Sequence, residues 1–167
     1  MDFSSLLLMR HEFVLTAILL LMIVAEIFVS EKNKKNLVFL GIILFAIHTA
    51  IGLLPLADGT LFGGMFKTTV LTHFFKSVLN IGVLILLLQS GDWLKDKVAS
   101  QQKASEFFIL IFSSLLGLYF MISAGDFLMF YIGLELSTLP ITALAAYESL
   151  KQKSSESGVK LILSAAL

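Results

Sequence analysis

The stretch FFILIFSSLLGLYFMISAGDFLMFYIGLELSTLPITALAAY, residues 107–147, decides the fold of this chain. It holds two apolar runs of about twenty residues, separated by a short turn at Gly125 and Asp126. About twenty helical residues cross the roughly 30 Å hydrocarbon core of a bilayer, because each residue rises about 1.5 Å along the axis. The stretch therefore predicts two antiparallel membrane-spanning helices joined by a tight turn.

Three similar apolar runs precede this stretch, at residues 13–29, 37–56 and 68–89, and a sixth begins near Gly158. The chain is 57% hydrophobic and only 14% charged, whereas soluble domains carry roughly a quarter charged residues. We predict an all-α, polytopic transmembrane helix bundle with five complete helices and the start of a sixth. The sixth run covers only about half a membrane, so we expect the sequence to be the front part of a longer chain.

The distribution of basic residues predicts the orientation of the bundle. Two basic residues, Arg10 and Lys67, lie on the side of the membrane where the chain begins. The loops after the first, third and fifth runs hold eight lysines: Lys32, Lys34, Lys35, Lys95, Lys97, Lys103, Lys151 and Lys153. Because basic loops stay in the cytoplasm, we expect the N-terminus to lie outside.

The composition also excludes several classes of function. Twelve basic and twelve acidic residues give no net charge, which argues against a nucleic-acid partner. The chain has no cysteine, so it holds no disulfide, thiolate metal site or iron–sulfur cluster. Phosphate-binding glycine loops and paired metal-binding histidines are also absent from the sequence. We therefore predict that this chain carries no cofactor or metal and that its surroundings are the lipid bilayer.

Glu135 is the strongest candidate for a functional residue, since a charge at bilayer depth is costly. It lies about 13 Å from the predicted outer boundary at Asp126, too deep to reach the surface. Pro140 follows five residues later and is expected to kink the helix just beyond the carboxyl group. Such a carboxyl is suited to taking and releasing a proton; the alternative is a structural carboxyl, permanently protonated and hydrogen-bonded to another helix.

The third run carries a polar stripe formed by His73, Lys76, Ser77 and Asn80, which share one helix face by their spacing. This stripe must face protein or water, since lipid offers polar groups no partner. His73 and Lys76 are therefore candidate members of a proton path; the alternative is interhelical hydrogen bonding with Lys76 snorkelling outward. His48 is interpreted as a neutral histidine bonded to a backbone carbonyl.

A motif in the fifth run and its continuation resemble a known family. Gly133, Leu134, Glu135, Leu136, Leu139 and Pro140 are similar to the G-L-E-L-x-S-L-P motif of the antiporter-like membrane subunits of proton-pumping NADH:quinone oxidoreductase (respiratory complex I). Ser155, Glu156 and Lys160 match the start of that family's sixth helix. The segment HFFKSVLN, residues 73–80, resembles subunit N most among these subunits.

The resemblance implies how the chain is organised and what it does. Residues 1–104 would form three N-terminal transmembrane helices, and residues 105–167 would begin the first antiporter-like repeat, truncated in its sixth helix. The parent subunit would contribute a proton-translocation channel that couples quinone reduction to proton pumping. Glu135 would load the proton and Lys160 would continue the path. From the residues alone, Lys160 lies only about 6 Å into the sixth helix and is more simply interpreted as an interfacial anchor. Because Glu135 lies about 18 Å from the same face, the depths also predict no direct salt bridge between the two.

The same resemblance implies where the other parts of the reaction take place. The chain would be a subunit of a translocase enzyme in the bacterial inner membrane, with no redox centre of its own. Flavin, iron–sulfur clusters and quinone would belong to partner subunits, and other membrane subunits would flank this one. Two alternatives remain open, namely a subunit of a multisubunit cation/proton antiporter and a non-catalytic membrane scaffold.

Overall fold

The computed structural model describes residues 7–29, 34–99, 104–146 and 152–166, and every structural statement below concerns these residues. They form helices α1 (Arg10–Phe28), α2 (Lys34–Gly52), α3 (Val70–Ala99), α4 (Ala104–Ile122), α5 (Phe127–Ala145) and α6 (Gln152–Ala166). Leu7–Phe28, Val70–Leu94 and Phe127–Ala145 are long and apolar enough to cross a membrane, and Asn36–Gly52 and Glu106–Ile122 are shorter apolar helices. The predicted all-α membrane bundle is confirmed.

Several helix boundaries differ from the prediction. Helix α1 begins at Arg10, three residues before the predicted apolar run, and a 3-10 turn over Leu7–Met9 precedes it. Helix α6 begins at Gln152, although the sequence predicted a start near Gly158. In both places polar residues with reasonable helix propensity extend the helix beyond its apolar part, so hydropathy alone misplaces the boundary.

A small antiparallel hairpin between α2 and α3 was not predicted. Strand β1 (Gly59–Leu61) pairs with strand β2 (Phe66–Thr68), and a 3-10 turn over Phe62–Gly64 connects them. Gly63 and Gly64 have φ angles of 66° and 96°, which glycine adopts without steric cost. Because Thr68 belongs to β2, the predicted helix start at residue 68 is wrong.

Helix α3 instead begins after a reciprocal cap formed by two threonines. The backbone N–H of Thr72 donates to Thr69 Oγ1 over 3.2 Å, and the backbone N–H of Thr69 donates to Thr72 Oγ1 over 2.8 Å. The exchange satisfies two amides that a helix start leaves without partners. It places the first turn of α3 directly after the hairpin.

The hairpin covers the end of the bundle where α1 and α3 begin and α2 and α4 end. The backbone N–H of Lys67 donates to Ser123 O over 2.8 Å, and that of Gly125 donates to Met65 O over 2.7 Å. Thr68 Oγ1 donates to Leu8 O over 3.1 Å, and the ring of Phe66 is fully buried. This end of the bundle is therefore closed by backbone and aromatic contacts.

Helices α4 and α5 pack against each other through two glycines. A Cβ added at Gly117 would lie 2.3 Å from Ser137 N, and one added at Gly133 would lie 2.6 Å from Met121 N. Both distances are far below a van der Waals contact, so only glycine permits this approach of the two backbones. Small residues commonly have this role between transmembrane helices. The contact fixes which face of α5 is turned away from α4.

Candidate functional site

A buried ion pair joins the first turn of α1 to α3. Lys76 Nζ lies 2.5 Å from Glu12 Oε1, and the two side chains are 1% and 3% exposed. The ammonium group also lies 5.1 Å from the centre of the Phe66 ring, a distance at which a cation and an aromatic face attract each other. Lys76 therefore points into the bundle and binds a carboxylate, so the alternative in which it snorkels outward is wrong.

Histidines and neutral polar groups from four helices surround this ion pair. His11 Nε2 and His73 Nδ1 form a hydrogen bond of 3.1 Å between α1 and α3. On the other side, the Tyr119 hydroxyl of α4 donates to Asn80 Oδ1 and forms a 3.0 Å hydrogen bond with His48 Nε2. We call this group the buried polar cluster; its members are His11, Glu12, His48, His73, Lys76, Asn80 and Tyr119.

Helix periodicity explains how α3 contributes three members of the cluster. His73, Lys76 and Asn80 lie at spacings of three and four residues, which place them on one helix face. Lys76 and Asn80 are buried and His73 is half-buried, as expected for a stripe that faces protein. Ser77 Oγ donates to His73 O over 3.0 Å, within the helix. The sequence therefore predicted this face correctly but not its partners.

The partners that the sequence missed are His11, Glu12 and Tyr119. The first predicted apolar run began at residue 13, so His11 and Glu12 were placed outside the helix. In the observed helices Glu12 lies about 8 Å from the start of its span at Leu7 and Lys76 about 9 Å from the start of α3 at Val70, so the two charges lie at nearly equal depth. The misplaced start of the first run hid this correspondence from the sequence. Opposite charges at equal depth on parallel helices are candidates for a pair.

The interpretation of His48 also needs a correction. The sequence predicts a bond from its ring to a backbone carbonyl, but its Nε2 bonds the Tyr119 hydroxyl. The hydroxyl of Tyr119 reaches across from α4 and supplies the partner. His48 thus connects two helices, which a single sequence does not reveal.

Glu135 lies apart from the buried polar cluster. It is half-buried in the middle of α5, eight residues after Phe127 and ten before Ala145, hence about 12 Å and 15 Å from the helix ends. Gly133 and Ser137 face α4, and Glu135 is two residues from each, so it lies on the opposite side of the helix. Among the described residues, no ion pair to its carboxylate is found.

The surroundings of Glu135 contain hydroxyl groups that bond the helix backbone. Ser137 Oγ and Thr138 Oγ1 both donate to Leu134 O, over 2.8 and 3.0 Å. Pro140 lies inside α5, which continues to Ala145. Since proline has no N–H, the carbonyl of Leu136 has no donor one turn ahead. The expected kink at this point stays a prediction.

Lys160 contacts neither Glu135 nor the buried polar cluster. Its Nζ lies 2.6 Å from Glu156 Oε1, one turn earlier in α6, and both side chains are exposed, by 71% and 59%. The four site residues predicted from the sequence thus occupy three places: His73 and Lys76 together, Glu135 on α5, and Lys160 on α6. Whether Lys160 belongs to a proton path stays a prediction.

The described residues do not settle the predicted absence of a metal or the predicted orientation. In the part of the chain that the structure describes, no group of three or more histidines, cysteines or carboxylates is placed to hold a metal ion. The eight loop lysines that predict the orientation have no described side chains. The orientation and the division of the chain at residue 104 therefore stay predictions.

Comparison with known proteins identifies relatives over the whole chain, although no family model matches. NADH-quinone oxidoreductase subunit N of Phocaeicola vulgatus is 42% identical over 99% of this chain and 34% of its own length. The subunits N of Azobacteroides pseudotrichonymphae and Rhodospirillum rubrum are 39% and 31% identical over all of this chain and 35% of their own lengths. The chain thus spans about a third of the relatives it matches. It belongs to the family of NADH-quinone oxidoreductase subunit N.

Proposed function

We propose that this chain is part of a membrane subunit that contributes a proton-translocation channel to NADH-quinone oxidoreductase and couples quinone reduction to proton pumping. The observation that carries the proposal is the position of Glu135. Its carboxyl group lies in the middle of an apolar helix, half-buried and on the side turned away from α4. The family of the chain supports the same function, since its relatives are named as subunits of this oxidoreductase.

The mechanism follows from what an adjacent charge does to a carboxyl group in a medium of low dielectric constant. An ammonium group brought close to Glu135 favours the carboxylate, whereas its withdrawal favours uptake of a proton. A cycle of approach and withdrawal therefore converts a conformational signal into proton binding and release. Lys160 extends the path from α5 toward α6, with water between the two groups because they form no direct ion pair.

The proposal assigns the redox chemistry to other chains. Flavin, iron–sulfur clusters and bound quinone belong to partner subunits, and this chain acts in the translocase through its membrane helices. Its partners are other membrane subunits of the respiratory complex and the lipids of the bacterial inner membrane. The absence of cysteine from the sequence supports this division, since iron–sulfur clusters require thiolate ligands.

The test replaces the carboxyl group of Glu135 in the full-length subunit within the assembled complex. Glu135→Gln keeps the size of the side chain but removes the group that binds and releases a proton. We expect the complex to assemble and oxidise NADH, while fewer protons are pumped per NADH into reconstituted vesicles. Glu26→Gln is the matched control, because it makes the same change at a half-buried glutamate near the end of α1 instead of the middle of a helix.

Two results would contradict the proposal. Normal pumping by Glu135→Gln would show that the carboxyl group is structural and would favour the scaffold alternative. An equal loss of pumping in Glu26→Gln would show that any change of acidic charge in these helices disturbs the complex. Glu135→Asp is expected to retain part of the activity, because the carboxyl group remains but is displaced by one methylene.

A further inference from the structure

An apolar groove lies between the last residues of α1 and the first turns of α2. Its base is formed by Val29, Leu37 and Leu40, which belong to the hydrophobic core of the bundle or pack against it. Its rim includes Phe28 and Phe39, whose side chains are 82% and 64% exposed. The groove therefore lies on the outer surface of these two helices and opens away from the core, toward the lipid.

The groove is polar at one end and apolar along the rest of its length. Exposed Asn36 lines it in the first turn of α2, and Ile43 lines it two turns further along the helix. Seven helical residues separate the two, so the groove extends about 10 Å along α2. Its volume of about 590 Å³ lies within the roughly 300–1,000 Å³ of sites that bind small molecules. Because α2 begins at Lys34, the polar end lies at the membrane surface and the apolar end lies deeper.

Basic residues occur in the sequence beside the polar end of the groove. Lys34 and Lys35 belong to the first turn of α2 and directly precede Asn36, and Lys32 comes two residues before Lys34. Glu31 is the single acidic residue among positions 29–36, so three lysines leave this stretch with an excess of positive charge. Basic residues next to an apolar site between helices are typical of sites that bind anionic lipids.

We propose that this groove binds one acyl chain of an anionic phospholipid, with the phosphate at the Asn36 end. The acyl chain lies along Leu37, Leu40 and Ile43 and removes their apolar surface from contact with the polar membrane surface. The carboxamide of Asn36 offers N–H donors to the phosphate, and the basic first turn of α2 offers positive charge. The site is separate from Glu135, and lipid binding there does not depend on the proposed proton path.

The shape of the groove favours a flexible chain over other occupants. A transmembrane helix is about 10–12 Å wide with its side chains and packs along much of the length of its neighbour. The groove extends only about 10 Å along α2, whose 19 residues are about 28 Å long. A water-soluble anion would bind the basic end but leave the apolar end without a partner. An acyl chain joined to a phosphate matches both ends.

The experiment locates a photoactivatable lipid on the full-length subunit in the assembled complex. The complex is reconstituted in phosphatidylcholine vesicles that contain a small fraction of phosphatidylglycerol with a diazirine in its acyl chain. Illumination links the probe to neighbouring residues, and mass spectrometry of peptides locates the label. We expect label within residues 28–43, and we expect added phosphatidylglycerol to reduce it several-fold more than the same amount of added phosphatidylcholine.

Two variants test the two ends of the groove. Lys34→Gln/Lys35→Gln removes charge at the polar end and should lower the label several-fold. Lys95→Gln/Lys97→Gln is the matched control, because it removes the same charge near the end of α3, whose residues do not line the groove. Ile43→Trp places a larger side chain at the apolar end, where Ile43 is 39% exposed, and should also lower the label.

Several results would overturn the proposal. No label within residues 28–43 would show that no lipid enters the groove, as when a helix of another subunit covers it. Equal competition by the two phospholipids, or an equal loss of label in Lys95→Gln/Lys97→Gln, would show that the site does not recognise an anionic headgroup. Undiminished label in Ile43→Trp would show that the acyl chain lies elsewhere. The readout is labelling and not pumping, so these results are independent of the role of Glu135.

Discussion

The buried polar cluster and Glu135 are two ways of placing ionisable groups inside membrane-spanning helices. In the cluster, Glu12 and Lys76 are 3% and 1% exposed and neutralise each other across two helices. Glu135 is half-buried on the face of α5 turned away from α4, with no ion pair among the described residues. The difference teaches that substitutions in the cluster should mainly cost stability, whereas substitution of Glu135 should mainly cost activity.

The largest effect is expected from removing one partner of the buried ion pair. Lys76→Met leaves the carboxylate of Glu12 buried without its counter-charge, which typically costs about 3–5 kcal/mol of stability. We expect little or no variant subunit in the purified complex and a lower thermal midpoint for the complex that does assemble. Quantifying the subunit in purified membranes checks the first effect, and a thermal unfolding scan checks the second.

A double variant controls this result. Glu12→Gln/Lys76→Met removes both charges, so no uncompensated charge stays buried, and assembly should recover toward the normal level. Failure of the double variant to assemble better than Lys76→Met would show that the pair contributes through packing and not through charge.

A smaller loss of stability is expected from a substitution where α4, which contributes to the buried polar cluster, packs on α5, which carries Glu135. Gly117 of α4 lies two residues before Tyr119 and packs on the backbone of α5, which carries Glu135. In Gly117→Ala the methyl group would lie 2.3 Å from Ser137 N, so the helices must separate, at a cost of up to about 3 kcal/mol. The thermal midpoint of the complex measures this cost. Gly82→Ala in α3 is the control, because a Cβ added at Gly82 meets nothing within 4 Å.

Tyr119→Phe should have a still smaller effect on stability. The variant keeps the ring in the apolar core but removes the hydroxyl that bonds Asn80 and His48. Loss of these bonds leaves two buried polar groups with fewer partners, which costs about 1–2 kcal/mol. A thermal midpoint unchanged from that of the unmodified complex would show that water replaces the hydroxyl at no cost.

The sequence predicted the features that belong to a single helix and missed those that join several helices. Hydropathy predicted the bundle, and the spacing of His73, Lys76 and Asn80 predicted a polar face on α3, because both are properties of one helix. The Glu12–Lys76 pair joins residues 64 positions apart, and neither residue alone indicates the other. The hairpin was missed because its two strands have three residues each, too few for an alternating pattern to be recognised.

The smallest change in stability is expected for Lys160→Met. Its ion pair with Glu156 is exposed and lies one turn apart in α6, and such pairs contribute only about 0.3–0.5 kcal/mol. The thermal midpoint of the complex should therefore stay within error of the unmodified value. If Lys160 continues the proton path from Glu135, pumping per NADH should nevertheless fall, and Lys160→Arg, which keeps the positive charge, should restore part of it. Normal pumping by Lys160→Met would remove Lys160 from the path and leave Glu135 as the site on α5 and α6 that carries the proton.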